Sequence, residues 1–419
     1  MAGYCKGQAH LRRLYCAPDS RCEMIATCDK AYVPCLTFTP ATHSVAVEPN
    51  NLASAPRVTL PFPAIDLAWC PFKSGENAAS FITTCRDQPL QLWDVGDAAL
   101  RASYVSTNDS DYHVHAHAVC WFDDASHPHW IAGGYGGFED ATQVRVFDVL
   151  AEGSQPAWTY TAPRTHRLVS TLKDCAWPGT TSLLAIGYYN ASTVHMVDCR
   201  NRCPAAELHG LKQGVHTLRV SAEDPLCVYA GGTQGDSRIA CWDLRKPRAP
   251  LFTLERVVHT NQVFEFDLLP STSSSEPRRL VTSSGSGGVV MYSWKAGDAP
   301  DAGSGAAFGL SVGPTSGLAV LDAETVVVTT GSRAYSYDSR NLPKVQARHW
   351  PSKADETLGE GGSAADAPAF PQYKRPRSPI ADCPDSDDEG EGEISAGSAR
   401  KMGEVASAEA VNVSVIALK

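Results

Sequence analysis

Short apolar runs alternate with polar turns along this chain, and they return in a fixed order. Residues 65–69 form one apolar run, residues 81–85 and 90–93 form the next two, and residues 100–104 close the unit. Short apolar or alternating runs bounded by Gly, Pro, Asn and Asp predict β-strands. Each unit of four runs therefore predicts a small antiparallel sheet, and similar units recur from about residue 11 to residue 338.

The third run of most units ends in an aromatic or apolar residue followed by aspartate. The spacing of these endings is roughly 45 to 55 residues, which is typical of WD40 repeats. The sequence therefore predicts an all-β fold, a WD40 β-propeller with seven blades. We predict a structural role for the endings, with the aromatic ring packed between blades and the carboxylate bonded to the adjoining turn. The residues concerned are Trp93, Asp94, Phe147, Asp148, Asp198, Trp242, Asp243, Trp294 and Asp338.

Composition divides the chain into three parts. Residues 8–350 carry the blades, and residues 351–407 are rich in Gly, Ala, Ser and Pro with an acidic block at 382–393, which predicts a disordered insertion. Within it, residues 374–377 (KRPR) are a candidate nuclear localisation signal. Residues 408–419 alternate and become apolar, which favours a strand that returns to the last blade after residues 334–337 over a frayed tail.

Neither a secretory signal nor a membrane-spanning segment is evident, which predicts an intracellular protein. The chain contains 14 cysteines, and in that setting they are expected to be free thiols. Several lie inside predicted strands, so we expect them in the core: Cys70, Cys85, Cys120, Cys175, Cys199 and Cys241.

Motifs that carry chemistry are scarce. No phosphate-binding G-x-x-x-x-G-K-[ST] loop, H-E-x-x-H or C-x-x-C motif occurs, so we predict no enzyme activity and no cofactor. His113, His115 and His117 alternate, and on a strand they would share one face and could bind Zn²⁺. The favoured alternative is that His117 anchors the first strand of the third blade while the others lie in a loop, with no metal bound.

One rim of the predicted propeller collects basic, polar and aromatic residues. The turns between second and third strands and the loops leading into first strands emerge on the same rim, here called the upper rim. Interleaved cations and aromatic rings suit an RNA strand, through phosphate contacts and base stacking, and Tyr112, Tyr135 and Tyr189 lie among them. The candidate RNA-binding residues are Lys30, Arg86, Arg164, Arg167, Lys212, Arg238, Asn261 and Gln262.

Three stretches are more specific than the repeat itself. They are residues 86–94 (RDQPLQLWD) with 100–104, residues 241–245 (CWDLR), and residues 260–268 with 281–286. Together with residues 15–19 (YCAPD) and the acidic insertion before a last strand, they resemble the telomerase Cajal body protein family of WD40 scaffolds.

The resemblance implies a function that the repeats alone do not. It implies a nuclear scaffold that binds H/ACA-type small Cajal body RNAs, and telomerase RNA through a shared CAB-box loop, and directs them to Cajal bodies. It also implies folding by the cytosolic chaperonin, association with the dyskerin-containing H/ACA particle and no membrane partner. The alternative is a WD40 adaptor that binds peptides, such as a ubiquitin-ligase substrate receptor or a histone reader.

Overall fold

The structure is a computed structural model, and the larger of its two compact units comprises residues 1–333 and 407–419. The other unit, residues 334–406, falls outside the described residues. The residues that the structure describes are 5–7, 11–18, 23–42, 44–47, 58–72, 80–123, 129–137, 140–151, 155–177, 181–221, 223–233, 235–256, 258, 262–271, 273, 276–295, 297–300, 305–309, 314–330 and 411–417.

The described strands form seven four-stranded sheets, and neighbouring strands within each sheet are antiparallel. In chain order the strands are β1 (Cys5–Gly7), β2 (Leu11–Cys16), β3 (Glu23–Cys28), β4 (Cys35–Thr39), β5 (Ser44–Val47), β6 (Ala64–Trp69), β7 (Ser80–Cys85), β8 (Leu90–Asp94), β9 (Leu100–Tyr104), β10 (Ala118–Trp121), β11 (Trp130–Tyr135), β12 (Gln143–Asp148), β13 (Trp158–Thr161), β14 (Val169–Trp177), β15 (Thr181–Tyr188), β16 (Val194–Asp198), β17 (Cys203–Leu208), β18 (Val215–Val220), β19 (Cys227–Gly232), β20 (Arg238–Asp243), β21 (Phe252–Glu255), β22 (Phe266–Leu269), β23 (Arg278–Ser283), β24 (Gly288–Trp294), β25 (Ala306–Gly309), β26 (Thr315–Val320), β27 (Thr325–Thr330) and β28 (Val411–Ala417).

Six sheets each take four consecutive strands, from β2–β5 (blade 1) to β22–β25 (blade 6). The first strands of neighbouring blades contact one another around the ring, including β26 with β2, so they form the innermost layer. Burial follows this order: β7 is buried along its whole length, whereas most of β9 is exposed or half-buried. The predicted propeller class is confirmed, because the four-stranded sheets follow one another in a closed ring.

Blade 7 is assembled from both ends of the chain. Its strand order is β26, β27, β28 and β1, with Thr325 opposite Ala417 and Cys5 opposite Val413. We predicted that the closing strand would follow a strand at 334–337 in the last blade. In the structure β28 pairs directly with β27 instead. Residues 334–337 lie outside the described residues. The blades also begin earlier than predicted, since β1 begins at Cys5 rather than at residue 8.

The aspartates of the repeat endings organise the turn that follows each third strand. The Asp94 Oδ1 accepts a hydrogen bond from the Gly96 amide at 2.8 Å, and the Asp243 Oδ1 accepts one from the Arg245 amide at 2.9 Å. Asp148 and Asp198 accept equivalent bonds from Leu150 and Arg200. A side-chain acceptor two residues before the donor mimics a backbone turn and fixes the direction of the fourth strand. Asp338 lies outside the described residues.

The aromatic residues of these endings lie between sheets. Trp242 is fully buried, packs with Met196 and Leu208 of blade 4, and donates from Nε1 to the His209 carbonyl at 2.9 Å. Phe147 and Trp294 are buried in the same manner, and the half-buried Trp93 donates to the Thr83 hydroxyl. The core is therefore divided into clusters between neighbouring blades, and each aromatic ring joins one blade to the next.

The cysteines expected in the core are buried: Cys70, Cys85, Cys120, Cys175, Cys199 and Cys241. Burial raises the pKa of the Cys120 thiol to about 12, which keeps it protonated and unreactive. No helix among the described residues has the length and apolarity to cross a membrane.

Candidate nucleic-acid interface

The upper rim carries the described candidate RNA-binding residues, as the topology requires, but they are spread over five blades. Lys30 and Arg86 lie in the turns after β3 and β7, and Lys212 lies in the loop that leads into β18. Arg164 and Arg167 lie on the loop into β14, Arg238 begins β20 and Gln262 precedes β22. Asn261 lies outside the described residues. The structure thus places these cations along an arc rather than in one compact cluster.

Arg86 is an accessible cation of this arc. Its side chain is 69% exposed and its Nε lies 3.3 Å from the equally exposed Asp87 carboxylate, an ion pair worth little in water. The guanidinium also lies 5.8 Å from the centre of the Phe62 ring, and Phe62 is itself 41% exposed. A cation beside an exposed ring can contact both a phosphate and a base.

Arg238 is not available in the same way. Its Nε lies 2.7 Å from Asp236 Oδ1 and its side chain is 18% exposed. The same carboxylate accepts a hydrogen bond from the Lys212 backbone amide at 2.5 Å and so joins the turn of blade 5 to the preceding loop. The Arg238 side-chain bond lowers the pKa of the Asp236 carboxyl even though burial alone would raise it. Arg238 therefore holds the rim together, whereas the Lys212 side chain is exposed.

A glycine brings the loop with Arg164 and Arg167 against blade 3. Gly136 has a φ of +147°, and a Cβ there would lie 2.1 Å from the Arg167 carbonyl oxygen. Only glycine permits that approach. Both arginine side chains are exposed, so the fixed loop presents them to solvent.

Two of the three tyrosines predicted to accompany the cations are exposed. Tyr112 is 72% exposed and Tyr189 is 46% exposed, and the Tyr189 ring lies 5.5 Å from that of His216. Tyr135 is buried instead, with its hydroxyl bonded to Ser106 and the Arg145 guanidinium 5.1 Å above its ring. It supports the rim and presents no face for stacking.

Two of the three alternating histidines, His115 and His117, have ring centres 4.6 Å apart. The His117 amide donates to the Gly134 carbonyl at 2.7 Å, directly before β10, while His113 bridges to Thr107 within the loop. Burial, aided by the neighbouring His115, lowers the pKa of His117 to about 4. Within the described ranges, no group of three or more His, Cys, Asp or Glu side chains is arranged to hold a metal ion.

Sequence reasoning missed a group of imidazole and phenol side chains between blades 3 and 4. The Tyr160 and Tyr188 hydroxyls both lie 2.9 Å from His195 Nδ1, and the His166 ring lies 4.5 Å from Tyr188. Two hydroxyls facing Nδ1 favour the tautomer with the proton on Nε2, which faces Glu207 at 3.9 Å. His166 belongs to the same short 3-10 turn as Arg164, so the group attaches this turn of the upper rim to blade 4.

A charge network at the propeller axis was also missed. Arg13 on β2 lies 3.0 Å from Asp66 on β6 and 3.0 Å from Glu265 at the start of blade 6. Glu265 also pairs with Arg219 at 2.9 Å, and the Tyr15 hydroxyl donates to Asp66 at 2.6 Å. Burial alone would lower the pKa of Arg13, but Glu265, Tyr15 and Asp66 raise it above its usual range. Arg13 therefore remains charged, and the network links β2, β6 and β18 to the residue that directly precedes β22.

His216, beside this network, gives the fold a pH dependence. Burial, then the nearby Arg13 and Arg256, lower its pKa to about 3 from the usual 6.5. The unfolded chain therefore binds the proton more readily, and the stability due to neutral His216 is lost as pH falls below 6.5 toward 3. We expect this group to lower the free energy of unfolding by about 2 kcal/mol between pH 7 and pH 5.

Urea unfolding at pH 7, 6 and 5 measures this dependence. A His216→Asn variant is expected to lose less stability over the same interval than the unsubstituted protein. Equal losses in the two proteins would contradict the assignment.

Comparisons with known proteins agree with this architecture. The chain is 30% identical over 220 residues to telomerase Cajal body protein 1 of Bos taurus, which covers 52% of this chain and 38% of the relative. It is 28% identical over 220 residues to the Homo sapiens protein, and 24% identical over 273 residues to the Drosophila melanogaster homolog, covering 52% and 63% of this chain. The matched segments span less than half the length of each of these relatives: 38%, 37% and 48%.

Solved structures support the fold. The structure of U3-55K superimposes with a TM-score of 0.54 at 13% identity and covers 79% of this chain and 91% of that one. A chain of the mitotic checkpoint complex gives a TM-score of 0.54 at 12% identity, covering 78% and 87%. No protein-family model matches the chain. The chain is thus a WD40-type β-propeller and a relative, by sequence, of the telomerase Cajal body proteins.

Proposed function

We propose that this protein is a non-enzymatic scaffold that binds H/ACA-type small Cajal body RNAs, and telomerase RNA where it shares their CAB-box loop. The observation that carries the proposal is the relationship to proteins named for telomerase and the Cajal body. The proposal includes delivery to Cajal bodies in the nucleus, association with the dyskerin-containing particle and folding by the cytosolic chaperonin. The candidate localisation signal at 374–377 lies outside the described residues.

The exposed side chains of the upper rim are of the kinds that bind an RNA strand. Arg86, Arg164 and Lys212 expose cationic groups, while Tyr112 and Tyr189 expose ring faces between them along the arc. Single-stranded RNA is bound by cations that contact phosphates and by rings that stack on bases. An arc over several blades suits a loop of several nucleotides better than a single small ligand.

Crosslinking and immunoprecipitation of the full chain, followed by RNA sequencing, tests the proposal. We expect H/ACA-type RNAs to be enriched over a control precipitation. Recovery of no such RNA above background would overturn the proposal and favour the peptide-binding adaptor.

Charge reversal on the upper rim tests where the RNA binds. The double variant Arg86→Glu with Lys212→Glu removes two exposed cations, and we expect affinity for a CAB-box loop RNA to fall at least about tenfold at low salt. The slope of log affinity against log salt is expected to become shallower by about 1.4, because each lost phosphate contact removes roughly 0.7. Fluorescence anisotropy across a KCl series measures both quantities.

The matched control is Lys246→Glu with Arg248→Glu. This pair carries the same charge change on exposed residues of the loop after β20, on the opposite rim. Equal losses in both double variants would indicate a non-specific effect of net charge and place the RNA elsewhere.

A further inference from the structure

The rim opposite the proposed RNA interface, here called the lower rim, contains a cavity between blades 5 and 6. Its volume is about 410 Å³, which lies within the range of pockets that bind ligands. The loop between β18 and β19 forms one wall, and the loop between β22 and β23 forms the other. Both loops join a first strand to a second strand, so the cavity lies beside the inner strands of the two blades.

Two polar contacts hold the walls together. The Ser271 amide donates to one Glu223 oxygen at 2.5 Å, and its hydroxyl lies 3.0 Å from the other. The Arg278 guanidinium lies 2.9 Å from Asp224 and so joins the same two blades. These contacts fix the spacing of the walls before any ligand arrives, which lowers the entropic cost of binding.

Several of the charged side chains that line the cavity already have partners in the described part of the chain. Asp267 faces Arg219 at 3.5 Å, Arg278 is paired with Asp224, and Glu223 accepts the two Ser271 bonds. Arg279 also lines the cavity, and within the described part of the chain it forms no ion pair. Arg279 therefore offers a guanidinium that is not paired with a described carboxylate, and it can bind the carboxylate of a ligand through two parallel hydrogen bonds.

The rest of the lining is mixed. Val220, Leu268, Leu269 and Pro270 supply an apolar wall, and Ser221 supplies a polar group. An apolar side chain would gain about 1.5–3 kcal/mol by burial on such a wall. Hydroxyl and carboxylate oxygens on the other side can satisfy the amides of a peptide backbone.

We propose that this cavity is a docking site for a protein partner that inserts a short extended segment with an acidic side chain beside an apolar one. The carboxylate binds Arg279, the apolar side chain lies on Leu268, Leu269 and Pro270, and the segment backbone bonds to Ser221 and Glu223. The site is independent of the upper rim, so RNA and this partner occupy the propeller together.

A library of random heptapeptides displayed on phage, selected on the full chain, tests the proposal. We expect the selected peptides to be enriched in Asp or Glu directly beside Leu, Ile, Val or Phe. The best peptide, labelled with fluorescein, is then measured by anisotropy with the full chain. Arg279→Glu is expected to weaken it at least about tenfold, and selection on that variant is expected to favour Lys or Arg at the acidic position.

Arg248→Glu is the matched control, since it reverses an exposed charge on the same rim outside the cavity. It is expected to leave peptide affinity within about twofold. Arg279→Gln provides a second variant if Arg279→Glu fails to fold, as judged by its melting curve. The proposal is overturned if no acidic-apolar peptide is selected, or if the selected peptide binds a folded Arg279 variant as tightly as the unsubstituted chain.

Discussion

Removal of residues 411–419 is expected to lower the apparent melting temperature by about 10 °C or more. The deletion takes away β28, which pairs with β27 on one side and β1 on the other, and it uncovers the edges of both. Val413 and Ile416 are buried, so their apolar contacts with blades 1 and 6 are lost as well. Differential scanning fluorimetry measures the shift.

Two controls distinguish the effect of losing strand β28 from the effect of shortening the chain. Deleting only residues 418 and 419 is expected to leave the melt unchanged. Val413→Asp keeps the full chain length but buries an unpaired carboxylate. We expect it to reproduce most of the fall in melting temperature. If the variant lacking residues 411–419 has the same melting temperature as the unsubstituted protein, blade 7 does not need this strand.

Replacing Arg13 by methionine is expected to destabilise the protein by about 3–5 kcal/mol, because it leaves two buried carboxylates with fewer partners. Asp66 would keep only its bonds from Tyr15 and the Val119 amide, and Glu265 would keep Arg219. In a fold of this size the loss corresponds to a fall in melting temperature of roughly 5 °C. Urea unfolding and thermal melts measure it.

A double-mutant cycle with Glu265→Gln tests the coupling. We expect the double variant to be less destabilised than the sum of the single variants, since removing both partners of a buried pair costs less than removing one. The exposed pair of Arg101 with Asp94 and Asp97 is the comparison, and Arg101→Met is expected to leave the free energy of unfolding nearly unchanged. Strict additivity, or equal costs for Arg13 and Arg101, would contradict the assigned role.

The blade plan could be predicted because its signals are local. Each strand is a short apolar run, and the carboxylate of Asp94 or Asp243 bonds to an amide only two residues away. The closing strand was harder to predict. The alternation of polar and apolar residues indicates that residues 411–417 form a strand, but only the assembled ring decides that β27 and β1 are its neighbours. Nothing local in residues 5–7 marks them as the fourth strand of the last blade.

The upper rim was predictable as a location and less so in its details. Strand order alone places Lys30, Arg86 and Lys212 on one rim. It does not show that Asp236 neutralises Arg238, or that Tyr135 turns inward, because those outcomes depend on packing between neighbouring turns. Arg13 and Asp66 are 53 positions apart, and they meet only because their strands face the same axis.

The mixed origin of blade 7 has a consequence for how the protein is made. Strand β1 leaves the ribosome long before β28, and residues 331–410 separate β27 from β28. At about 5–20 residues per second, translation of that interval takes roughly 4–16 s. Throughout this time the nascent chain carries six blades and two open strand edges, a state prone to pairing with neighbouring chains. Synthesis of β28, rather than synthesis of the repeats, is therefore the step that completes the ring.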